Sequence, residues 1–522
     1  MLLRPAPRRE NPLTGRARAR LGQVRDRFIW NHIFRRMQQF SGRRGAQQPR
    51  VRGGAASARI DAIQTSSPGA SLVGAGRAVA QPQAPVAASV GPSPFSYYRN
   101  APLFSVILLA LYAARLTEIT PMLNVLRPTL LASLAALPLV LSHSSRPVTT
   151  GVLRHPVFRL SAGYGLWALA TVPFALWPSM ALESAIGVFI PAIILCFVIL
   201  ACEPTARNVD KLAYGLVIAV FIHVSYLLAV GVARAGNRLT SEGSLDPNDL
   251  GSLVAMSFPL AVGLAMRARG RDRAIMIVAA LVFVFTLMRT GSRGGTIAFV
   301  AALLVFVAGF PARRRMGMMV GLVFAVPLAW TLGPPEYRER MKTMLSLEQD
   351  YNQTDYVGRK AVRERAQLYY KENLVTGVGM FCFPIAEGQH NKEIGRTGKW
   401  SAPHNAYWQA LSELGTPGGV FFFGMLVTAV MSGLRCWRWR LPDGTASAFH
   451  RPEHLAAIVG FGIGAYFLSH AYFWPMFGFV ALSGLAGLVS RSGIPSSAEA
   501  PVPSSRRRSA ALGATGPSPV SA

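Results

Sequence analysis

The run AIMIVAALVFVFTLMRTGSRGGTIAFVAALLVFVAGF, residues 274–310, reads as two apolar segments joined by a turn too short to leave a membrane boundary. Each side, 274–290 and 294–310, has about 17 residues, the lower end of what crosses the hydrocarbon core of a bilayer as a helix. The joint is Arg289-Thr-Gly-Ser-Arg293-Gly-Gly. Gly291, Gly294 and Gly295 permit a tight turn and close backbone approach. Arg293 starts the second segment, where unpaired backbone N–H groups favour an anion. Intramembrane arginines are expensive and mark substrate paths. Interfacial snorkelling suits Arg289 better than Arg293.

Outward from this hairpin the pattern repeats. From Pro102 onward, apolar runs of about 17–23 residues recur. They lie near 101–117, 123–142, 157–177, 185–202, 211–233, 249–267, 274–290, 294–310, 317–333, 415–433, 454–471 and 473–490. The chain is 51% hydrophobic and only 15% charged, against about 25% charged in soluble domains. The fold class is therefore an all-α polytopic membrane protein with about 12 transmembrane helices.

Net charge is +30, from 54 basic and 24 acidic residues. Its distribution excludes a nucleic-acid partner, because the arginines sit in tails and short connectors. Connectors after even-numbered spans carry Arg146 and Arg154, Arg207 and Lys211, Arg267 to Arg273, Arg313 to Arg315, and Arg435 to Arg440. Most odd-numbered connectors are poor in positive charge. Twelve spans with both tails in the cytoplasm satisfy that asymmetry.

Residues 1–100 hold seventeen arginines, no lysine and three acids, and read as a disordered basic tail near anionic lipid headgroups. Residues 23–40 are a candidate interfacial helix. Residues 491–522 read as a second disordered tail, leaving 101–490 as the membrane domain. The four cysteines show no metal or disulfide spacing.

Three outer connectors break the quiet pattern. In 234–249, Asp246, Asn248 and Asp249 suit a helix cap, while Arg238 runs against the orientation rule. The second is the arginine–glycine turn. The third, 334–404, is far longer than its neighbours, and such loops are functional or disordered. Within it Arg359–Asn373 reads as a helix, and Gly377-Val-Gly-Met-Phe-Cys-Phe as a turn with an apolar plug. The loop closes at His404-Asn405, where an aromatic-studded helix begins. Loop and helix together would form a lid.

Asp246-Pro-Asn-Asp-Leu-Gly, Thr290-Gly-Ser-Arg-Gly-Gly, Gly358-Arg359, Gly377-Val-Gly-Met-Phe, His404-Asn-Ala-Tyr and Glu413-Leu-Gly together resemble the O-antigen ligase and polymerase superfamily over roughly 234–435. These are bacterial membrane glycosyltransferases acting on lipid-linked sugars. The resemblance implies a GT-C-like bundle in the inner membrane, with a large periplasmic loop between spans 9 and 10. It also implies an undecaprenyl-pyrophosphate-linked glycan as donor and transfer on the periplasmic face. His404 matches the essential histidine, Arg238 and Arg293 the pyrophosphate-binding arginines, and Arg359 the loop arginine. Arg234, one helical turn from Arg238, competes for its role. The aromatic four residues after the loop arginine is Arg363 here, a departure that bears on lid packing.

The residue types carry a chemistry of their own. Cleaving a sugar–pyrophosphate bond develops negative charge, which guanidinium groups stabilise with bidentate geometry. Arg238, Arg293 and Arg359 are the candidates, with Arg289 beside them. His404 would take the acceptor hydroxyl proton, oriented by Asn405 or Glu413, in a single inverting displacement. No metal or other cofactor is required, since the arginines replace a cation's electrostatic role.

His390 competes as base, and His470 could line the cavity. Trp400, Tyr407 and Trp408 suit sugar stacking or an interfacial belt. Lipid A core, growing glycan and protein remain open as acceptors, so ligase, polymerase and protein O-oligosaccharyltransferase share this reading. A transporter or flippase-like member without transferase activity is the competing class. It would place polar, broken helices at the midplane, whereas polar content here gathers on one face.

Overall fold

The computed structural model describes residues 128–142, 146–230, 233–234, 238–240, 245–344, 355–356, 358–396, 400–438, 447 and 449–492. All of them fall in the unit Ala88–Ala522. The run near 101–117, the candidate helix at 23–40 and both tails lie outside the described residues, apart from 491–492, which end the last helix.

The described chain is helical apart from one hairpin. The order is α1 (Pro128–Ser142), α2 (Arg146–Arg154), α3 (Pro156–Ala170), a 3-10 turn (Val172–Phe174), α4 (Pro178–Leu200) and α5 (Ala206–Val230). A two-stranded ribbon follows, β1 (Ala233–Arg234) against β2 (Arg238–Leu239). Then come α6 (Pro247–Arg267), α7 (Gly270–Thr290), α8 (Arg293–Ala308), α9 (Ala312–Leu332) and α10 (Pro335–Lys342). The long loop contributes α11 (Arg359–Glu372) and α12 (Phe383–Glu393), and the chain closes with α13 (Ala406–Trp437), α14 (Pro452–Ala465) and α15 (Trp474–Ser492).

Among the described residues six helices are long and apolar enough to cross a membrane: α4, α5, α6, α7, α9 and α13. The others from the apolar runs are shorter or less apolar. At 16 residues, α8 rises only about 24 Å.

Helix ends depart from the hydrophobic runs for identifiable reasons. Proline fits the first turn, where its missing N–H costs nothing, so α4 begins at Pro178 rather than 185. In α3 the same residue type inside the run ends the helix, at Ala170 before Pro173 rather than at 177. α13 begins at Ala406, nine residues before the apolar run, because Asn405 caps it there, accepting the Trp408 N–H at 3.0 Å. α14 stops at Ala465 instead of reaching 471, since the Ala471 N–H is taken by the Gln409 side chain at 3.1 Å. The short amphipathic α2 lies in a connector that hydropathy left blank.

α6 is the centre, packing on α5, α7, α8 and α14, and 78% of its apolar window is buried. Lipid offers no hydrophobic drive between helices, so small residues carry such crossings. A Cβ on Gly295 would meet the Gly251 backbone at 3.0 Å, and one on Gly464 would meet Ser252 Oγ at 2.7 Å. α13 lies against α3, α14 and α15, around a buried aromatic group of Tyr164, Phe189, Phe422, Tyr472 and Phe477. The opposite extreme is α9, none of whose window is buried.

One end of the bundle is pinned by charge. Arg267, at the end of α6, pairs with Asp210 of α5 at 3.0 Å and with buried Glu453 of α14 at 2.6 Å. Arg451 grips both Asp210 oxygens at 3.2 and 3.1 Å. Removing one member of such a buried pair costs about 3–5 kcal/mol. The candidate residues gather at the other end, where α6, α8 and α13 start and α7 and α14 stop.

Candidate functional site

The start of α6 organises this end. Asp246 caps the helix, its Oδ1 accepting the N–H groups of Asn248 (2.6 Å) and Asp249 (2.9 Å). Asp249 Oδ2 accepts the Asp246 N–H in return at 3.0 Å. This reciprocal box satisfies donors that a helix start leaves orphaned, as the sequence reading expected.

The cap residues also reach outward. Asn248 Oδ1 accepts from Arg238 Nη2 at 3.0 Å and from Ser292 Oγ at 3.1 Å. Arg238 Nε donates to the Thr290 carbonyl at 2.8 Å. Arg238 and Arg234 are not a helical turn apart as expected; they face each other across the β1–β2 ribbon. The hairpin lays Arg238 over the α7–α8 turn.

That turn is built by Gly291, whose φ of 55° and ψ of 30° close α7 in the left-handed region. Ser292 caps α8 by accepting the Gly295 N–H at 3.0 Å. A third arginine, Arg340 of α10, donates from Nε to the Gly291 carbonyl at 3.0 Å. Arg238, Arg289 and Arg340 line one small cavity with Glu336 and Tyr337. Sequence reasoning missed Arg340, because nothing in Pro335-Glu-Tyr-Arg-Glu-Arg sets it apart from Arg338. Arg293 lies on the other side of the turn, its Nη1 at 3.4 Å from Thr343 Oγ1.

The long loop is ordered where it is described. α11 runs Arg359–Glu372, one residue short of expectation, and packs on α13. Its own small core holds Val362, Ala366, Tyr369, Val378, Cys382 and Phe383. Arg365 forks onto both Glu387 oxygens at 2.7 and 2.8 Å, and the Tyr369 hydroxyl joins at 3.1 Å. Burial first, then the Glu387 charge, pushes the Tyr369 phenol well up, and burial lifts the Cys382 thiol to about 11.

Arg359 opens α11 after Gly358. Arg363, one turn on, hydrogen-bonds the Tyr466 hydroxyl and stands 5.2 Å over that ring. Position 363, where the resemblance led to an aromatic, therefore holds a guanidinium whose partner is Tyr466, the C-cap residue of α14.

The apolar plug docks on a kink in α13. Gly415 has φ 66° and ψ −168°, and Pro417 has no N–H to return to the Glu413 carbonyl. Three carbonyls are freed there, and all three are taken. Ser412 O accepts the Val378 N–H and Glu413 O the Gly379 N–H, both at 2.9 Å. Leu414 O accepts the Trp167 indole N–H at 2.8 Å. The Thr416 N–H donates to Leu374 O at 2.7 Å.

Glu413 was expected as an orienter of His404. Its buried carboxylate instead accepts the N–H groups of Phe381 (3.0 Å) and Phe383 (3.3 Å). It caps the plug and the start of α12.

His404 is half-buried and has φ 50°, a left-handed conformation costly for a residue other than glycine. Such an outlier persists only where surroundings over-determine it, and it directs attention to function. Its N–H donates to Ser469 Oγ at 2.9 Å. Asn405 both caps α13 and donates to the Tyr466 carbonyl at 3.0 Å, so its amide shapes the loop through backbone contacts. His470, beside Ser469, is buried and hydrogen-bonded through Nε2 to Asp249 Oδ1 at 2.8 Å. It stacks on Phe473 with centroids 3.9 Å apart.

His390 sits in the last turn of α12, edge-on to Tyr369 at 6.4 Å. Tyr407 stacks on Phe423, Trp408 leans on Tyr370, and Trp400 covers Gly388.

A run of contacts therefore joins the histidine loop to the arginines. His404 and Asn405 hold the 466–471 turn, His470 of that turn holds Asp249, Asn248 beside it holds Arg238, and Arg238 and Arg340 hold the α7–α8 turn. Such guanidiniums suit phosphate oxygens.

The family model for O-antigen ligase matches residues 277–423. It covers Arg289, Arg293, Arg340, Arg359, His404, Asn405 and Glu413, and leaves Arg238, Asp249 and His470 outside. No curated protein matches the chain.

Proposed function

Because residues 277–423 match the family model for O-antigen ligase, we propose that this multi-pass membrane protein transfers a glycan from an undecaprenyl-pyrophosphate carrier to an acceptor on the periplasmic face of the inner membrane. Twelve spans, a GT-C-like arrangement and cytoplasmic tails complete that reading. His404 accepts the proton of the attacking hydroxyl, and Arg238, Arg289, Arg293 and Arg359 stabilise the departing pyrophosphate. Attack opposite the leaving group inverts the anomeric centre. The guanidiniums supply the charge stabilisation that a cation supplies elsewhere.

The observation that carries the reading is the hydrogen-bonded run from His404 to Arg238 across four separate sequence segments. It supports one extracytoplasmic pocket more readily than a midplane transport path, because every member sits where helices begin or end. A transporter or flippase-like member of the superfamily is the alternative. Lipid A core, growing glycan and protein remain the candidate acceptors.

The test is reconstitution with lipid-linked glycan and each acceptor in turn. His404→Ala is expected to abolish transfer, a loss of about 10²-fold or more, with insertion and melting unchanged. Full activity in that variant would remove the assigned base, and donor movement across the bilayer without transfer would establish the transporter.

A further inference from the structure

The turn that closes α11 exposes two large apolar side chains, Leu374 and Val375, the second of them 61% open. Scattered apolar residues on a surface need no explanation, but the depth of these two is fixed by the kink in α13. The Leu374 carbonyl accepts both the N–H and the hydroxyl of Thr416, at 2.7 and 2.9 Å, and a Cβ on Gly415 would collide with the Val375 carbonyl. Gly415 is where the apolar run of α13 begins. The Leu414 carbonyl beside it takes the Trp167 indole N–H at 2.8 Å. Trp167 lies one turn inside the end of α3 at Ala170, next to the exposed Leu166. The loop turn is therefore level with the last turn of α3 and the start of the apolar run of α13, not stacked above them.

A second exposed apolar pair, Phe174 and Leu176, belongs to the α3–α4 connector. Val378 stitches that connector to the loop, accepting the Leu176 N–H and donating to the Ser412 carbonyl, both at 2.9 Å. Backbone outside a helix stands at membrane depth only where its polar groups are paired. Here the Phe174 N–H goes to the Thr171 carbonyl at 3.0 Å, the Leu176 N–H to Val378, and the Leu374 carbonyl is paired twice. Aromatic rings crowd the same rim: the Tyr370 hydroxyl is 3.0 Å from Thr416 Oγ1, its ring leans on Trp408, and Trp177 packs on the loop core. Such rings gather where bilayer meets water.

We propose that the long loop is itself docked on the lipid surface: Leu374 and Val375, with Phe174 and Leu176, insert into the leaflet on the candidate-site side of the bilayer. The occupant of this apolar rim is phospholipid, because the kink holds the rim at the depth where the spans begin and end. The exposed Lys371 and Glu372 end α11 three and two residues before Leu374, at the level of the headgroups. This docking is independent of the transferase reading, since it follows from backbone contacts alone.

The experiment uses the full chain in lipid nanodiscs. All four native cysteines are buried, so a nitroxide attaches selectively to Leu374→Cys or Val375→Cys. Oxygen, which partitions into lipid, is expected to relax both labels more strongly than a nickel chelate, which stays in water, as it does for Leu166→Cys. Stronger relaxation by the chelate at either loop position would overturn the inference.

A second measurement needs no label. Val375→Asp should raise proteolytic cleavage of 358–396 by about tenfold, because a carboxylate on a short stem cannot leave the apolar layer. Val375→Lys should raise it less, since the long stem carries its charge to the headgroups. At a water-covered position both changes would be neutral, within about twofold, and that result overturns the docking. An equal rise for both variants assigns the effect to packing within the loop and overturns it as well.

Discussion

Gly415→Ala is expected to release the long loop from the bundle. Gly415 occupies φ 66°, ψ −168°, a region open essentially to glycine alone, at a cost of about 1–3 kcal/mol for other residues. A methyl group there would stand 2.1 Å from the Val375 carbonyl oxygen and 2.9 Å from that of Leu374. Both are backbone atoms and cannot swing aside. Straightening α13 is no escape, because Pro417 has no N–H to give. The loop must lift, and the bonds that Val378 and Gly379 give to the kink and that Thr416 gives to Leu374 go with it.

Each bond contributes about 1 kcal/mol, and a buried carbonyl left unpaired adds about 1–3 more. Together with the backbone strain, local docking loses at least about 4 kcal/mol, close to a thousandfold in the docked population. Limited proteolysis of 358–396 in lipid nanodiscs reads that population. Gly187→Ala, where a Cβ meets nothing within 4 Å, is the control and should leave protection intact. Cleavage of Gly415→Ala within twofold of the unaltered protein would mean that the kink accommodates a side chain and does not anchor the loop.

Three other perturbations probe separate parts. Glu387→Ala strands Arg365 in the loop core and should cost about 3–5 kcal/mol there, seen as lost hydrogen-exchange protection over 359–393; unchanged protection would deny the pair a role in loop order. Arg238→Lys cannot hold both Thr290 O and Asn248 Oδ1 as the fork does, so donor KM should rise roughly tenfold, and full retention would reduce the contact to a point charge. His155, which caps α3 by accepting the Val157 N–H at 3.3 Å, has its pKa lowered to about 4 by burial and then by Arg491 and Arg435. Its folded pKa lies below the unfolded value, so stability is whole above about pH 6.5 and falls as pH drops toward 4. His155→Asn keeps a cap and removes the titration, and should flatten that fall, on the order of 1–2 kcal/mol after solvent screening; an unchanged acid profile would assign the loss elsewhere.

Among the described residues, helices were legible in the sequence where a span carries its own signal: an apolar run, a proline at the start, or a cap such as Asp246-Pro-Asn-Asp. The loop helix at Arg359 and the buried plug at 377–383 were readable as well. What could not be read was where freed backbone groups go. The kink at Gly415-Thr-Pro417 is visible as a helix breaker, but only the fold shows Val378 and Gly379 filling it. Glu413 was named beside Asn405 as an orienter of His404, and the structure turns its carboxylate to the N–H groups of Phe381 and Phe383. Arg340 carried no local mark, and the partnership of Asp249 with His470 spans 221 residues. Periodicity reports the face a residue presents to its neighbours along one helix, and says nothing of contacts closed by tertiary packing.

The two ends of the bundle use the same residue types for different ends. Where α5, α6 and α14 meet, Arg267 and Arg451 are matched to Asp210 and Glu453, and the charges lock helices together. At the other end Arg238 and Arg340 direct Nε to the carbonyls of Thr290 and Gly291. A carbonyl that accepts from Nε fixes the plane of the guanidinium. Asp249, on the neighbouring helix cap, is occupied by a backbone N–H and by His470, and Glu413 by two backbone N–H groups, while Glu336 lines the same small cavity as Arg238 and Arg340. Held this way, guanidiniums are fixed in place before any anion arrives. Their preorganisation is what electrostatic stabilisation of a leaving group requires, and it follows from the caps and turns that the helix termini need in any case.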